Sequence, residues 1–266
     1  MRLHRFYTTE KIEVGKELMI NSDQLANQVQ NVFRLKVGDV VVIFNGTGFD
    51  YECKIDRFEK KNKINSNSVI RLSVLSSKRN NFSQVRKLFL GAAIIKKDNF
   101  EWIVEKATEL GVTDIIPIVA DRSEKKALNG ERLKKIATEA SEQSGRDTTP
   151  MVHAIMGLGS AVSLLKKENS NVKILAFHTC IGSTYTEPTF STENGHTDEE
   201  NNFFRMHRLN LDRKVTLAVF IGPEGGWSPE EIAMFHRENV TVVCLGPQIL
   251  RTETAVVAAL SMVVFE

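Results

Sequence analysis

The sequence predicts an α/β fold, a mostly parallel sheet flanked by helices, preceded by a small N-terminal β-rich domain. Two observations predict it. Over residues 1–78 short apolar runs alternate with polar residues and end in glycine turns, whereas from residue 79 onward short apolar runs alternate with segments of helical period. Parallel neighbours need a crossover connection, and a helix is the usual one. The expected division is therefore 1–78 and 79–266.

In the first part, Ser22 is placed to cap a helix with Leu25, Val29, Val32 and Phe33 on one face. Asp39–Phe44 is an apolar run entering the turn Asn45-Gly-Thr-Gly48, after which Tyr51, Cys53 and Ile55 alternate with Glu52, Lys54 and Asp56. A basic loop (Lys60, Lys61, Lys63) leads to the strand Val69–Leu75. In the second part, Leu88–Ile95 reads as a strand, and a capping box of Asp98 with Glu101 is expected to open a helix burying Phe100, Ile103, Val104, Ala107 and Leu110, stopped by Gly111. Trp102 and Lys106 stand one helical turn apart and are expected to face each other. The strand Asp114–Val119 follows, then a helix led by Asn129 that ends near Gly145. A helix near Ser160 and the strand Val172–Phe177 form the next unit; the strands Val215–Ile221 and Thr241–Leu245, each followed by a helix, complete the pattern.

Residues 179–213 interrupt the alternation with a polar stretch containing Asp198-Glu-Glu200, and their composition predicts a mobile surface insertion. A chain of 266 residues that is 42% hydrophobic can bury a sizeable core. No run approaches the roughly 20 apolar residues that span a bilayer, and the start has no apolar leader core, so a cytoplasmic location is expected and no membrane partner. Three cysteines (Cys53, Cys180, Cys244) without C-x-x-C spacing argue against a disulfide framework or a zinc site and are expected as free thiols. The six histidines show no ligand spacing, so no metal is expected. Residues 1–80 hold 14 Lys and Arg against 9 Asp and Glu, and residues 81–266 hold 21 against 24. The asymmetry is compatible with a polyanionic partner for the first domain and equally with a solvated surface.

Two segments carry the chemistry. The strand Val215–Ile221 runs into Gly222-Pro-Glu-Gly-Gly226, and Ser228-Pro-Glu-Glu231 then combines an N-cap, a proline at the first helical position and a capping-box glutamate. The strand Thr241–Leu245 runs into Gly246-Pro247, with Thr252-Glu-Thr254 expected to cap a last helix, Ala255–Phe265. Ligands of open α/β sheets bind beyond the carboxyl ends of strands, where glycines let main-chain groups approach closely. Neighbouring strands would make the two turns adjoining walls of one pocket. A triphosphate loop is excluded because no Lys-Ser/Thr follows the glycines, and Gly157-Leu-Gly159 is an incomplete dinucleotide fingerprint.

Gly222-Pro-Glu-Gly-Gly226 together with Leu245-Gly-Pro-Gln-Ile-Leu-Arg-Thr-Glu-Thr-Ala255 resembles the signature of the RsmE family. These are SPOUT-superfamily enzymes that methylate N3 of a uridine in 16S (small-subunit) ribosomal RNA. The resemblance extends through Arg2-Leu-His-Arg-Phe6, Arg34-Leu-Lys-Val-Gly-Asp39, Glu101-Trp102, Lys106-Ala-Thr-Glu-Leu-Gly-Val112, Asp121-Arg-Ser123 and Glu139-Ala-Ser-Glu-Gln-Ser-Gly-Arg146. Residues 182–213 depart from it, being longer than the family's usual connection. The resemblance implies a PUA-like, RNA-binding β-barrel for 1–78, a trefoil-knotted SPOUT methyltransferase domain for 79–266, and a homodimer. It implies S-adenosylmethionine as cofactor, held by Phe177, His178, Ile221, Gly222, Glu224, Gly225, Gly226, Leu245, Gly246, Ile249, Leu250 and Arg251.

Methyl transfer to uridine N3 needs an in-line acceptor that has lost its proton, and no metal. Arg251 is the candidate to offset charge on the uracil, or else pairs with Glu253 or Glu224 to fix the loops. Glu253 is the candidate proton acceptor, or else serves the helix terminus, where the dipole favours its anion. Arg2, Arg5, Arg122 and Arg146 are candidates for RNA contact, against a surface role for each. The alternative activities are methylation of another rRNA or tRNA nucleotide, and a non-catalytic RNA-binding role in ribosome assembly.

Overall fold

The computed structural model describes residues 3–60, 68–82, 86–123, 127–178, 214–245 and 248–265. The chain divides into two compact units, Met1–Ser83 with Thr138–Thr149, and Gln84–Ala137 with Pro150–Glu266.

The first unit is built on a five-stranded sheet of β1 (Arg5–Tyr7), β2 (Glu17–Asn21), β3 (Val40–Phe44), β4 (Phe49–Glu59) and β5 (Val69–Arg79), in the order β1-β3-β4-β5-β2. Only β1 and β3 run parallel. Alternate residues Leu18, Ile20, Val41, Ile43, Cys53, Ile55 and Leu72 fill its core with Phe6. The short helix α1 (Asp23–Asn27) is capped by Ser22, whose hydroxyl accepts from Leu25 N. It then widens into a π-helical turn, Gln28–Val32, which rotates the following side chains out of register; Val32, expected on the buried face, is 63% exposed.

Residues 138–149 complete this unit with polar groups. The buried Glu142 carboxylate accepts from Tyr7 N at 3.0 Å and from Gln28 Nε2 at 2.9 Å. Burial pushes its carboxyl up to about 7, opposed by these two hydrogen bonds. Arg5 donates to the carbonyls of Gly145 and Arg146 and pairs with Asp50 at 2.8 Å.

The second unit is an α/β layer structure, as expected. Its strands are β6 (Leu88–Ala93), β7 (Asp114–Val119), β8 (Met151–Val152), β9 (Met156–Gly157), β10 (Val172–His178), β11 (Thr216–Ile221) and β12 (Thr241–Cys244). They lie in the order β12-β10-β11-β6-β7-β8, with β9 also on β7, and every pairing is parallel. The helices are α2 (Lys97–Glu109), α4 (Leu158–Glu168), α5 (Pro229–Arg237) and α6 (Thr252–Val264), with the first half of α3 (Gly130–Ser144), whose residues from Thr138 onward belong to the first unit. Leu90, Leu175, Phe177, Val219 and Ile221 pack on one face with α2 and α6, and Phe89, Ile174, Ala176, Ala218 and Phe220 on the other with α4 and α5. Burial on both faces explains why these strands read as continuous apolar runs instead of alternating ones. At Gly91 a Cβ would come within 2.2 Å of the Phe220 ring, so the close approach requires glycine there.

Several local expectations are corrected. Helix α2 begins two residues earlier than the capping box requires: Lys96 is the N-cap without a side-chain bond, and Asp98 lies in the first turn. Leu110 follows the helix end and is only partly buried. The Lys106 ammonium pairs with Glu105 and Glu109, each at 2.8 Å. Asn129 caps α3 as expected, its side chain accepting from Arg132 N. Cys53 is a buried free thiol, whereas Cys244 is disulfide-bonded against expectation; Cys180 lies outside the described residues. Among the described residues no helix is long and apolar enough to cross a membrane, and no group of three or more His, Cys, Asp or Glu is placed to hold a metal.

Candidate active site

Strand order decides where a ligand fits. β12 pairs with β10 and not with β11, so the chain leaving β11 passes over β10 to reach its place, and the carboxyl ends of β10, β11 and β12 stand side by side. In an open parallel sheet this is where a crevice opens. The crevice here is lined by Phe177 and His178 from β10, by Ile221, Gly222, Pro223, Glu224 and Gly226 after β11, and by Leu245, Gln248, Leu250, Thr252 and Ala255 around β12 and α6.

Three side-chain-to-main-chain hydrogen bonds set its shape. Trp227, buried directly after the glycine loop, donates from Nε1 to the carbonyl of Phe177 at 2.9 Å and stands edge-on to Phe235. The Trp227 ring lies under Gly222, where a Cβ would approach it to 3.2 Å. Thr252 donates to the carbonyl of Gly222 at 3.1 Å, tying the start of α6 to the end of β11. Arg122, from the turn after β7, donates to the carbonyl of Gly225 at 2.6 Å. Gly226 adopts the left-handed conformation at φ 68° and closes the turn on the carbonyl of Pro223. The loop's exit is fixed by the capping box of Ser228 and Glu231, present as expected, with Ser228 Oγ on Asp121 and Glu231 on Asp121 N.

Thr252 was expected within the cap of the last helix. Instead α6 begins at Thr252 with Arg251 as N-cap, making no side-chain cap bond, because the threonine hydroxyl is engaged on Gly222. Arg251 is exposed, and among the described residues no carboxylate pairs with it. Glu253 points toward α2: Asn99 donates to Oε1 at 3.4 Å, and Oε2 is buried without a partner. His178 is half-buried with Nδ1 unbonded, and burial with the nearby Arg122 charge pulls its ring below the ordinary histidine range.

Of the residues expected to hold a cofactor, Phe177, His178, Ile221, Gly222, Glu224, Gly226, Leu245 and Leu250 meet at the crevice. Gly225 lies against Arg122, Ile249 is 67% exposed, and neither they nor Arg251 line it; Gly246 lies outside the described residues. Pro223, Gln248, Thr252 and Ala255 line it and were not singled out as cofactor ligands. Thr252 and Gln248 stand inside the motif that was, and a tryptophan next to a glycine turn is a cue in itself, since a buried indole N–H needs an acceptor. Of the arginines expected to meet RNA, Arg122 is exposed but bound to the glycine loop. Arg5 and Arg146 are built into the first unit, with Arg146 only 1% exposed and burial drawing it down to about 10. Neither offers its guanidinium to solvent. Arg2 lies outside the described residues.

The chain matches the family model of an RNA methyltransferase domain over residues 82–264 and that of an RNA methyltransferase PUA domain over residues 29–64. It is 30% identical over 264 residues to the ribosomal RNA small subunit methyltransferase E of Rickettsia conorii, covering 99% of this chain and 96% of the relative. The Bacillus subtilis protein of the same name is 30% identical over 265 residues, covering 97% and 94%. Among solved structures, the Neisseria gonorrhoeae ribosomal RNA small subunit methyltransferase E bound to S-adenosyl methionine superposes with a TM-score of 0.77 at 25% identity, covering 98% of this chain and 96% of that one.

Proposed function

We propose, on the premise that this chain belongs to the RNA methyltransferase family whose domain it matches over residues 82–264, that it methylates N3 of a uridine in 16S ribosomal RNA. It is an S-adenosylmethionine-dependent methyltransferase of small-subunit ribosomal RNA. One observation carries the site assignment: the carboxyl ends of three adjacent parallel strands form a crevice of main-chain groups and apolar walls, tied together by Trp227, Thr252 and Arg122.

The donor supplies an activated methyl group on a sulfonium. The crevice suits it: Phe177, Ile221, Leu245, Leu250 and Ala255 give apolar surface for a nucleoside, Glu224, Gln248 and the loop carbonyls give polar contacts, and the unbonded His178 Nδ1 awaits a partner. Holding acceptor and donor in line supplies much of the rate. The acceptor must first give up its N3 proton to solvent, which leaves negative charge shared over the uracil carbonyls; when bound, the donor would supply its methyl group to that N3 and leave as a neutral thioether, discharging both ions. Arg251, exposed beside the crevice, is placed to offset that charge. Glu253, in the first turn of α6 where the dipole favours the anion, is assigned to anchoring α6 on Asn99.

The finer assignments belong to the same proposal. The β-barrel unit, residues 1–78, binds RNA beside a catalytic domain of residues 79–266, with Arg122 as a further contact. The last strand and helix close a trefoil knot, and the cytoplasmic enzyme is a homodimer; exposed Trp102, Ile249 and Phe265 on the second unit supply apolar surface for a partner copy. Nucleoside mass spectrometry of small-subunit RNA from a deletion strain tests the acceptor: N3-methyluridine is expected to disappear and to return on complementation. Its persistence in the deletion strain overturns the N3-uridine assignment.

A further inference from the structure

Besides the crevice, the second unit holds a cavity of about 360 Å³ at the opposite end of the same strands. It is lined by Asn171, Val172, Lys173 and Ile174 entering β10, Val215 and Leu217 entering β11, and Asn239 and Thr241 entering β12, with Arg86 and Lys166 at its sides. Among the described residues three cations and two amide side chains line it, and none of these lining residues carries a carboxylate. This charge also has structural duties: Arg86 donates to the Val263 carbonyl, Lys166 holds Glu238 through both its carbonyl and its carboxylate, and Lys173 is engaged as well. Two bonds do not exhaust an ammonium with three donors.

We propose that this cavity is a phosphate-binding site, and that the RNA substrate's backbone supplies the phosphate. The identity of the substrate rests on the function proposed above; the phosphate chemistry does not. β10 has seven residues, so the cavity lies roughly 20 Å from the crevice at about 3.3 Å per residue. A strand of nucleic acid rising about 3.4 Å per nucleotide covers that span in about six nucleotides. That line runs through the core packed on both faces of β10, so an RNA segment serving both sites passes around the helical layer and is longer than six nucleotides, with the cavity fixing its backbone while the crevice takes the base.

The test uses the full chain with Asn171→Asp, which places a carboxylate at the exposed mouth without changing shape, and Lys173→Gln. RNA affinity for a small-subunit RNA fragment is measured across a salt series, pyrophosphate binding is measured separately, and S-adenosylmethionine affinity is the control for folding. Weaker RNA binding, with the slope of log affinity against log salt reduced by about 0.7–0.9 for a lost contact, supports the RNA backbone as the source. Pyrophosphate bound by the native protein and not by the variants, with RNA affinity unchanged, supports the phosphate site and assigns it to a free phosphate ligand. Variants that match the native protein in both assays overturn the site. Failure of the native protein to bind S-adenosylmethionine would instead count against the methyltransferase reading, leaving the pyrophosphate comparison to stand alone.

Discussion

Replacing Thr252 by valine keeps the side chain's shape and deletes one hydroxyl. That hydroxyl is 2% exposed through its residue and donates to the Gly222 carbonyl at 3.1 Å, joining the first turn of α6 to the loop after β11. A typical internal hydrogen bond contributes about 1 kcal/mol net, but a buried acceptor left without its donor costs about 1–3 kcal/mol. If the intact tie holds the two walls in the ligand-binding arrangement, losing it lowers S-adenosylmethionine affinity by about 5- to 150-fold, each 1.4 kcal/mol being a factor of ten. Isothermal titration calorimetry on the folded variant reads this directly, with circular dichroism as a check on α6. Thr252→Ser retains the hydroxyl and is expected to bind within a few-fold of the native protein. Native affinity in the valine variant would refute the claim that this bond shapes the site.

Arg251→Ala separates two roles: loss of methyl transfer by about 10²- to 10³-fold with cofactor affinity retained is expected from charge stabilisation, and single-turnover kinetics beside calorimetry checks it. Trp227→Phe removes the bond to the Phe177 carbonyl and should cost on the order of 2 kcal/mol, a drop of several degrees in Tm by calorimetry. Glu142→Gln is expected to flatten the pH dependence of stability. Burial raises this carboxyl to about 7 from 4.5, so the folded state holds the proton longer than the unfolded one. Native stability attributable to it is full below about 4.5 and is lost as pH rises to about 7, by roughly 3 kcal/mol. Urea unfolding at pH 5 and pH 8 should show that decline in the native protein and not in the glutamine variant; equal declines would rule the assignment out.

Elements governed by local chemistry were legible in the sequence. Ser22, Asn129 and the Ser228–Glu231 box cap the helices they were expected to cap, because a short polar side chain before an apolar stripe has few other ways to satisfy the first N–H groups. Five strands of the parallel sheet were equally plain, being too apolar to face water on either side, whereas β8 and β9, two residues each, are too short to show a pattern and were not read. What failed depended on partners distant in sequence. The π-helical turn that exposes Val32, the engagement of Thr252 with a carbonyl 30 residues away, and the burial of Arg5 and Arg146 all follow from contacts the linear pattern does not encode. Arginines were read as surface cations by residue type, yet Arg5 meets Asp50 and two carbonyls, and such a set can hold a guanidinium inside.

The same distinction explains how the crevice is made. Its most reactive-looking neighbours by residue type, Arg251 and Glu253, do not line it, while the groups that fix it are hydroxyl, indole and guanidinium donors aimed at main-chain carbonyls. Each of these bonds joins a different pair of chain segments: Trp227 reaches β10, Thr252 reaches the end of β11, and Arg122 crosses from the turn after β7 to the glycine loop. A binding surface built from main chain cannot be altered by changing its own side chains, so its geometry is set by residues one step behind it. Ligand affinity should therefore respond more to Thr252 and Trp227 than to the exposed Glu224, although the glutamate is the residue whose charge first draws the eye. The three parallel strands supply the adjacency, the glycines supply the approach, and these donors convert an open strand end into a site of fixed shape.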